Sequence, residues 1–165
     1  MSEQFVIHNL AFAEGKQRLE GRVPLQQLPR LAASLSRTDG EVRFVVQGGV
    51  NALRLPVLDI SVETDVCQVC QRCLQPFTHA VSSQNRLVVV KTQEQVEEYD
   101  SDDEDAVLVE AAFDVLTWVE DEVLLNLSFA PRHEQCVDIA AAAGAVAEKE
   151  KPNPFAVLAK LKTRH

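Results

Sequence analysis

Val62-Glu63-Thr64-Asp65-Val66-Cys67-Gln68-Val69-Cys70-Gln71-Arg72-Cys73-Leu74-Gln75-Pro76-Phe77-Thr78-His79-Ala80-Val81 reads as the end of one strand, a turn and the start of the next. Upstream, residues 53–66 place Leu55, Val57, Ile60 and Val62 as the apolar points of an extended segment. Residues 70–77 form the turn. Pro76 supports that reading, because a proline has no N–H to give to a strand ladder. Residues 78–91 return as the partner strand and end in the apolar run Leu87-Val88-Val89-Val90.

Outward from this hairpin, residues 4–12, 17–23, 41–48 and 106–110 read as further strands, with Gly48-Gly49 breaking or bulging the third. Leu25, Leu28, Leu31, Ala32 and Leu35 fall at helical spacing, which predicts a helix over 24–36, begun near Pro24. Asp114 can cap a second helix over 115–127, where Leu116, Val119, Val123 and Leu127 share a face. Glu120 projects onto that side and reads as an edge carboxylate paired with an arginine, beside the exposed pair Asp121 and Glu122. The fold class is α+β: a mainly antiparallel sheet, strongly curved or barrel-like, with two or three helices and a C-terminal tail helix. Residues 1–137 form one domain. Residues 138–150, rich in Ala, Gly, Glu and Lys, read as a flexible linker. Residues 151–165 form a basic helical motif in which Asn153 caps, Pro154 opens the first turn, and Phe155, Leu158 and Leu161 line one side.

The chain has 165 residues, 46% of them hydrophobic, enough for a sizeable core in one domain. Its net charge of -9 argues against wholesale coating of a phosphate backbone and suits a basic protein partner. Aromatics make up 5%, too few for a main surface of stacked bases. Glu94, Glu97, Glu98, Asp100, Asp102, Asp103, Glu104 and Asp105 follow one another with no basic residue between them, and read as a solvated loop. The N-terminus has neither the basic nor the apolar region of a signal peptide, and no stretch reaches the length of a membrane span. A reducing cytoplasm is the expected setting, where cysteines serve as thiols or metal ligands. No glycine-rich phosphate loop, cofactor motif or Ser/His/Asp arrangement is visible, so neither an enzyme nor a small-molecule substrate is expected.

Cys67, Cys70 and Cys73 are spaced Cys-x2-Cys-x2-Cys, and Cys136 follows His133 by three residues. Three readings stand side by side: a zinc site, unmetallated thiols and a redox pair. A tetrahedral zinc site needs about four ligands. Cys70 and Cys73 bracket the turn, and His133 and Cys136 complete the set if the loop over 131–138 folds back over the hairpin. His79 is a spare candidate. Cys67 fits less well, because strand alternation puts it on the face of Cys73 and opposite Cys70. A redox Cys-x-x-Cys would open a helix rather than sit on a hairpin.

Cys70-Gln71-Arg72-Cys73-Leu74-Gln75-Pro76-Phe77-Thr78, Val119-Glu120-Asp121-Glu122-Val123-Leu124-Leu125-Asn126-Leu127 and Lys151-Pro152-Asn153-Pro154-Phe155-Ala156-Val157-Leu158, in that order, resemble the motifs of the YceD family of large ribosomal RNA subunit accumulation proteins. The resemblance covers nearly the whole chain. It implies a non-enzymatic factor required for 23S ribosomal RNA accumulation and large-subunit biogenesis, whose genes commonly lie beside that of a large-subunit ribosomal protein. Other branches of that family carry a fuller cysteine set near the C-terminus, resembling a zinc knuckle, of which this sequence keeps Cys136. Two mechanisms follow. In the first, the chain contacts pre-ribosomal RNA through Arg72 and the tail residues Lys151, Asn153, Phe155, Lys160, Lys162 and Arg164. In the second, the acidic body is an adaptor for a basic ribosomal or assembly protein, with no RNA contact.

Overall fold

The structure, a computed structural model, describes residues 5–102 and 104–136. The chain divides after His133 into two compact units, and the first is the folded body described here. Its elements run β1 (Val6–Ile7), α1 (Asn9–Glu14), β2 (Arg18–Pro24), a 3-10 turn (Leu25–Gln27), α2 (Pro29–Ala33), β3 (Glu41–Val50), β4 (Pro56–Val69), β5 (Pro76–Val90), α3 (Gln93–Tyr99), β6 (Asp105–Leu108), β7 (Phe113–Asp114) and α4 (Val115–Leu125).

The hairpin is the spine. β4 pairs with β5 from Val57↔Val88 to Val69↔Pro76, and the strand order is β2-β3-β4-β5-β6. Alternation sends Val42, Phe44 and Val46 of β3, and Leu58, Ile60 and Val62 of β4, to one buried face. Phe12 and Ala13 of α1 join that core, as do Leu25, Leu28 and Leu31 around α2 and Val115, Val119 and Val123 of α4. The apolar run Leu87–Val90 is buried on both faces. Leu87 and Val89 belong to the main core, while Val88 and Val90 pack with Val57 against Val96 and Tyr99 of α3. A strand covered on both sides has no solvated face to make polar, which accounts for the missing alternation.

Several sequence expectations are corrected. The sheet is open rather than a barrel: β2 and β6 are its edges, and the interior that barrel side chains would fill is occupied by α1, α2 and α4. It is not purely a meander either, because β6 runs parallel to β5 after the chain crosses through α3. The strand expected over 4–12 is not found: among its described residues, 5–12, the strand is confined to Val6–Ile7, and α1 follows. The helix expected over 24–36 is a 3-10 turn and the short α2, with Pro29 at the start of α2. β3 runs unbroken through Gly48. That residue is needed for close approach rather than for a bulge, since a Cβ there would lie 2.3 Å from the Phe12 carbonyl oxygen of α1. Part of the acidic run is helical. Thr92 and Gln95 form a reciprocal capping box at the start of α3, and the Glu94 carboxyl is held below its ordinary value, first by its own backbone N–H and then by the Thr92 hydroxyl. The linker and tail motif assigned to 138–150 and 151–165 lie outside the described residues.

Candidate metal centre

The turn between β4 and β5 is tight and has few conformational options. The Cys70 N–H donates to the Gln75 carbonyl at 3.0 Å, and the Leu74 N–H to the Cys70 carbonyl at 2.9 Å. Leu74 has φ of 59°, a left-handed conformation that costs a branched residue about 1–2 kcal/mol. This bend lets Cys70 and Cys73, three residues apart, present both thiols to one side. The Arg72 N–H lies 3.4 Å from the Cys70 sulfur, within reach of a weak N–H···S hydrogen bond. Cys70 is fully buried and Cys73 is 6% exposed.

The 131–133 segment lies against this turn. The Gln71 N–H donates to the Pro131 carbonyl at 2.9 Å. His133 follows, with Nδ1 3.3 Å from the Cys73 sulfur and its ring 4.5 Å from that of Phe77. Within the first unit, Cys70, Cys73 and His133 each offer a ligand atom, and the three atoms lie within 4.8 Å of one another. Tetrahedral zinc, with Zn–S of about 2.3 Å and Zn–N of about 2.0 Å, sets its ligand atoms roughly 3.5–4 Å apart. Two thiols and one imidazole nitrogen are donors of the kind that structural zinc takes, so these residues fit the ion, and Cys136 is the fourth donor that the sequence offers. The described cysteines are free of disulfides.

The register removes Cys67 from this set. It pairs with Thr78 in the ladder and bridges Arg37, whose guanidinium is held above its ordinary value, first by a hydrogen bond to the Cys67 sulfur. His79 is also outside it, with its ring stacked on that of Phe77 at 5.2 Å. Arg72 is exposed at the turn. Lys151, Asn153, Phe155, Lys160, Lys162 and Arg164 fall outside the described residues.

A second constellation sits on α4, where Asp114 caps the first turn as expected. Glu120 is 4% exposed and caps α2 from a distance. Its Oε1 accepts from the N–H groups of Arg30 and Leu31 at 2.7 and 2.9 Å, and its Oε2 accepts from Arg30 Nε at 2.9 Å. Leu28, ahead of α2, supplies no side-chain cap of its own, so those N–H groups depend on Glu120. Asp121 meets the other side of the same guanidinium at 2.6 Å, and these carboxylates hold Arg30 above its ordinary value, Asp121 first. The sequence pairing of Glu120 with an arginine is met. The exposed placement of Glu122 is not: it is 4% exposed and accepts from Trp118 Nε1, Asn85 Nδ2 and Ser83 Oγ. The spacing of Trp118 and Glu122, four apart on a helix, was the available signal for that contact.

Residues 58–162 match the family model described as large ribosomal RNA subunit accumulation protein YceD. The chain is also 30% identical over 161 residues to a protein of that name from Haemophilus influenzae, with 92% of each chain covered. The chain belongs to the YceD family. Two motifs by which the family is recognised in this sequence thus have separate physical settings: the Cys-x-x-Cys turn brings two buried thiols beside His133, and Glu-Asp-Glu ties α4 to α2 and β5. No solved structure matches. No helix among the described residues is long and apolar enough to cross a membrane.

Proposed function

We propose that this chain is a non-enzymatic cytoplasmic factor that supports accumulation of large-subunit ribosomal RNA by binding a basic protein partner, with its hairpin turn pinned by zinc. The observation that carries the zinc reading is the meeting of Cys70, Cys73 and His133 in the first unit, with Cys136 as the fourth donor that the sequence offers. Cys70 and Cys73 would hold the ion from the turn, and His133 and Cys136 from the segment that follows α4. Its role would be structural: a closed four-ligand shell leaves no position for water or substrate.

The protein-partner reading is supported by what the arginines of the body do. Arg18, Arg22, Arg30, Arg37 and Arg86 each face a carboxylate, from Glu20, Glu41, Glu120 with Asp121, Asp39, and Asp59 with Glu104 respectively. Arginines already paired in this way offer little to phosphate, and the net charge of -9 opposes RNA at long range. The non-enzymatic reading draws on Glu120, buried on α4 with its oxygens engaged by the N–H groups of Arg30 and Leu31 and by the Arg30 guanidinium rather than by a substrate.

Direct RNA contact is the second reading. It is favoured by exposed Arg72 on the pinned turn and by Lys151, Lys160, Lys162 and Arg164, with Asn153 and Phe155 shaping the segment that carries them. Crosslinking the full chain in cells, with RNA and protein partners identified together, separates the two. The adaptor reading expects crosslinks to a basic large-subunit or assembly protein. Crosslinks to 23S ribosomal RNA alone, weakened by Lys160→Ala, Lys162→Ala and Arg164→Ala together, would overturn it.

A further inference from the structure

Beside the carboxylate clamp, α4 and the β6–β7 connection enclose a groove of about 450 Å³. Its apolar floor comes from Leu87, Val107, Phe113 and Trp118. At one end stands Leu125, 79% exposed at the last turn of α4, and Phe129 four residues on is fully exposed. Such side chains cost solubility while they stay bare, and two so close in sequence are more than scattered surface apolar residues. Every charged residue lining the groove is acidic: Asp105, Glu110, Asp114, Asp121 and Glu122. Four of them also have structural duties. Asp114 caps α4, Asp121 holds Arg30, Glu122 accepts from Trp118, and Asp105 accepts from Asn85. Glu110 is exposed on the rim, where its backbone rather than its carboxylate is bonded to Asn9.

We propose that this groove docks a basic amphipathic segment of a partner protein, with an apolar side chain seated over Trp118 and Leu125 and lysine or arginine side chains along the acidic rim. The charge chooses the occupant. A rim without a single basic residue repels phosphate and anionic lipid, and the apolar floor distinguishes a peptide anchor from a simple counter-ion. Four of the carboxylates are engaged by protein donors, so exposed Glu110 is the rim carboxylate best placed to meet a cation. The inference rests on the protein-partner reading and names the surface that would serve it.

Trp118 is the only tryptophan of the chain and forms part of the floor, so its emission reports occupancy directly. The probe is a short tryptophan-free peptide with Lys and Arg around two Leu residues four apart, titrated into the full-length protein. Saturable change in Trp118 emission is expected. It should weaken with salt and lose roughly tenfold or more in affinity in a Glu110→Lys, Leu125→Glu variant that retains its circular dichroism spectrum. A Leu125→Ala variant should lie between the two. An equal response to the analogue with Glu in place of every basic residue, or unchanged binding by the variants, would overturn the proposal. So would a dimer in sedimentation that Leu125→Glu dissolves, since the groove would then take a second copy. If the double variant still crosslinks in cells to the same basic protein as wild type, the groove fails and the adaptor reading stands. If wild type binds the peptide but crosslinks in cells to RNA alone, the groove stands and the adaptor reading fails.

Discussion

The hairpin turn and the acidic segment of α4 both hold polar groups away from solvent, yet they are satisfied in opposite ways. On α4 the chemistry is complementary. Glu120 and Glu122 are acceptors, and each meets donors from α2, β5 or Trp118. At the turn the groups are alike: the sulfurs of Cys70 and Cys73 with one ring nitrogen of His133. Thiol and imidazole meet one another there, Cys73 with His133 at 3.3 Å, and the same atoms are the ones a metal ion would take. The pairing teaches that a buried polar motif is read by whether its members complement one another, not by how many there are.

Removing one side of the α4 network should have the largest effect. Glu120→Ala strips the cap from α2 and leaves Arg30 without its inner partner, and should cost about 3 kcal/mol in urea unfolding. Because that network needs no ion, the loss should be the same with and without a chelator; a chelator-dependent loss would break the contrast. At the turn, the corresponding test is linkage to metal. Free zinc at a hundredfold excess over its dissociation constant should add about 2.7 kcal/mol to wild type and nothing to Cys73→Ser. Leu74→Gly relieves the left-handed strain and should stabilise the turn by about 1 kcal/mol, in the metal-free protein as well as the loaded one. The smallest effect is expected at exposed Glu94. Its folded carboxyl lies below its unfolded value, so its contribution is present above the unfolded pKa and is lost as pH falls through the folded one. Glu94→Gln should therefore lower stability slightly at neutral pH and leave it unchanged at the acid end, which flattens the acid limb of a stability-pH curve.

The parts of the fold that were legible in the sequence are those set by local pattern. β3, β4 and β5 alternate or carry continuous apolar runs, and α4 announces itself through Asp114 and the Leu116/Val119/Val123 spacing. What tertiary contact decides was hidden. α1 is a six-residue helix whose position depends on Gly48 admitting its backbone, and the 4–12 stretch alone resembles a strand. The direction of β6 depends on how α3 returns the chain, which no periodicity encodes. The candidate site was legible by half. Spacing nominated Cys70, Cys73, His133 and Cys136, but only the β4–β5 register sets Cys67 apart from them, and only the backbone shows Leu74 paying for the bend.

The central claim is most directly tested by measuring the metal content of untagged full-length protein purified under reducing conditions. The account predicts about one zinc per chain in wild type, retained in Cys67→Ser and lost in both Cys70→Ser and Cys73→Ser. Metal-free wild type that neither takes up added zinc nor gains stability from it would contradict the account.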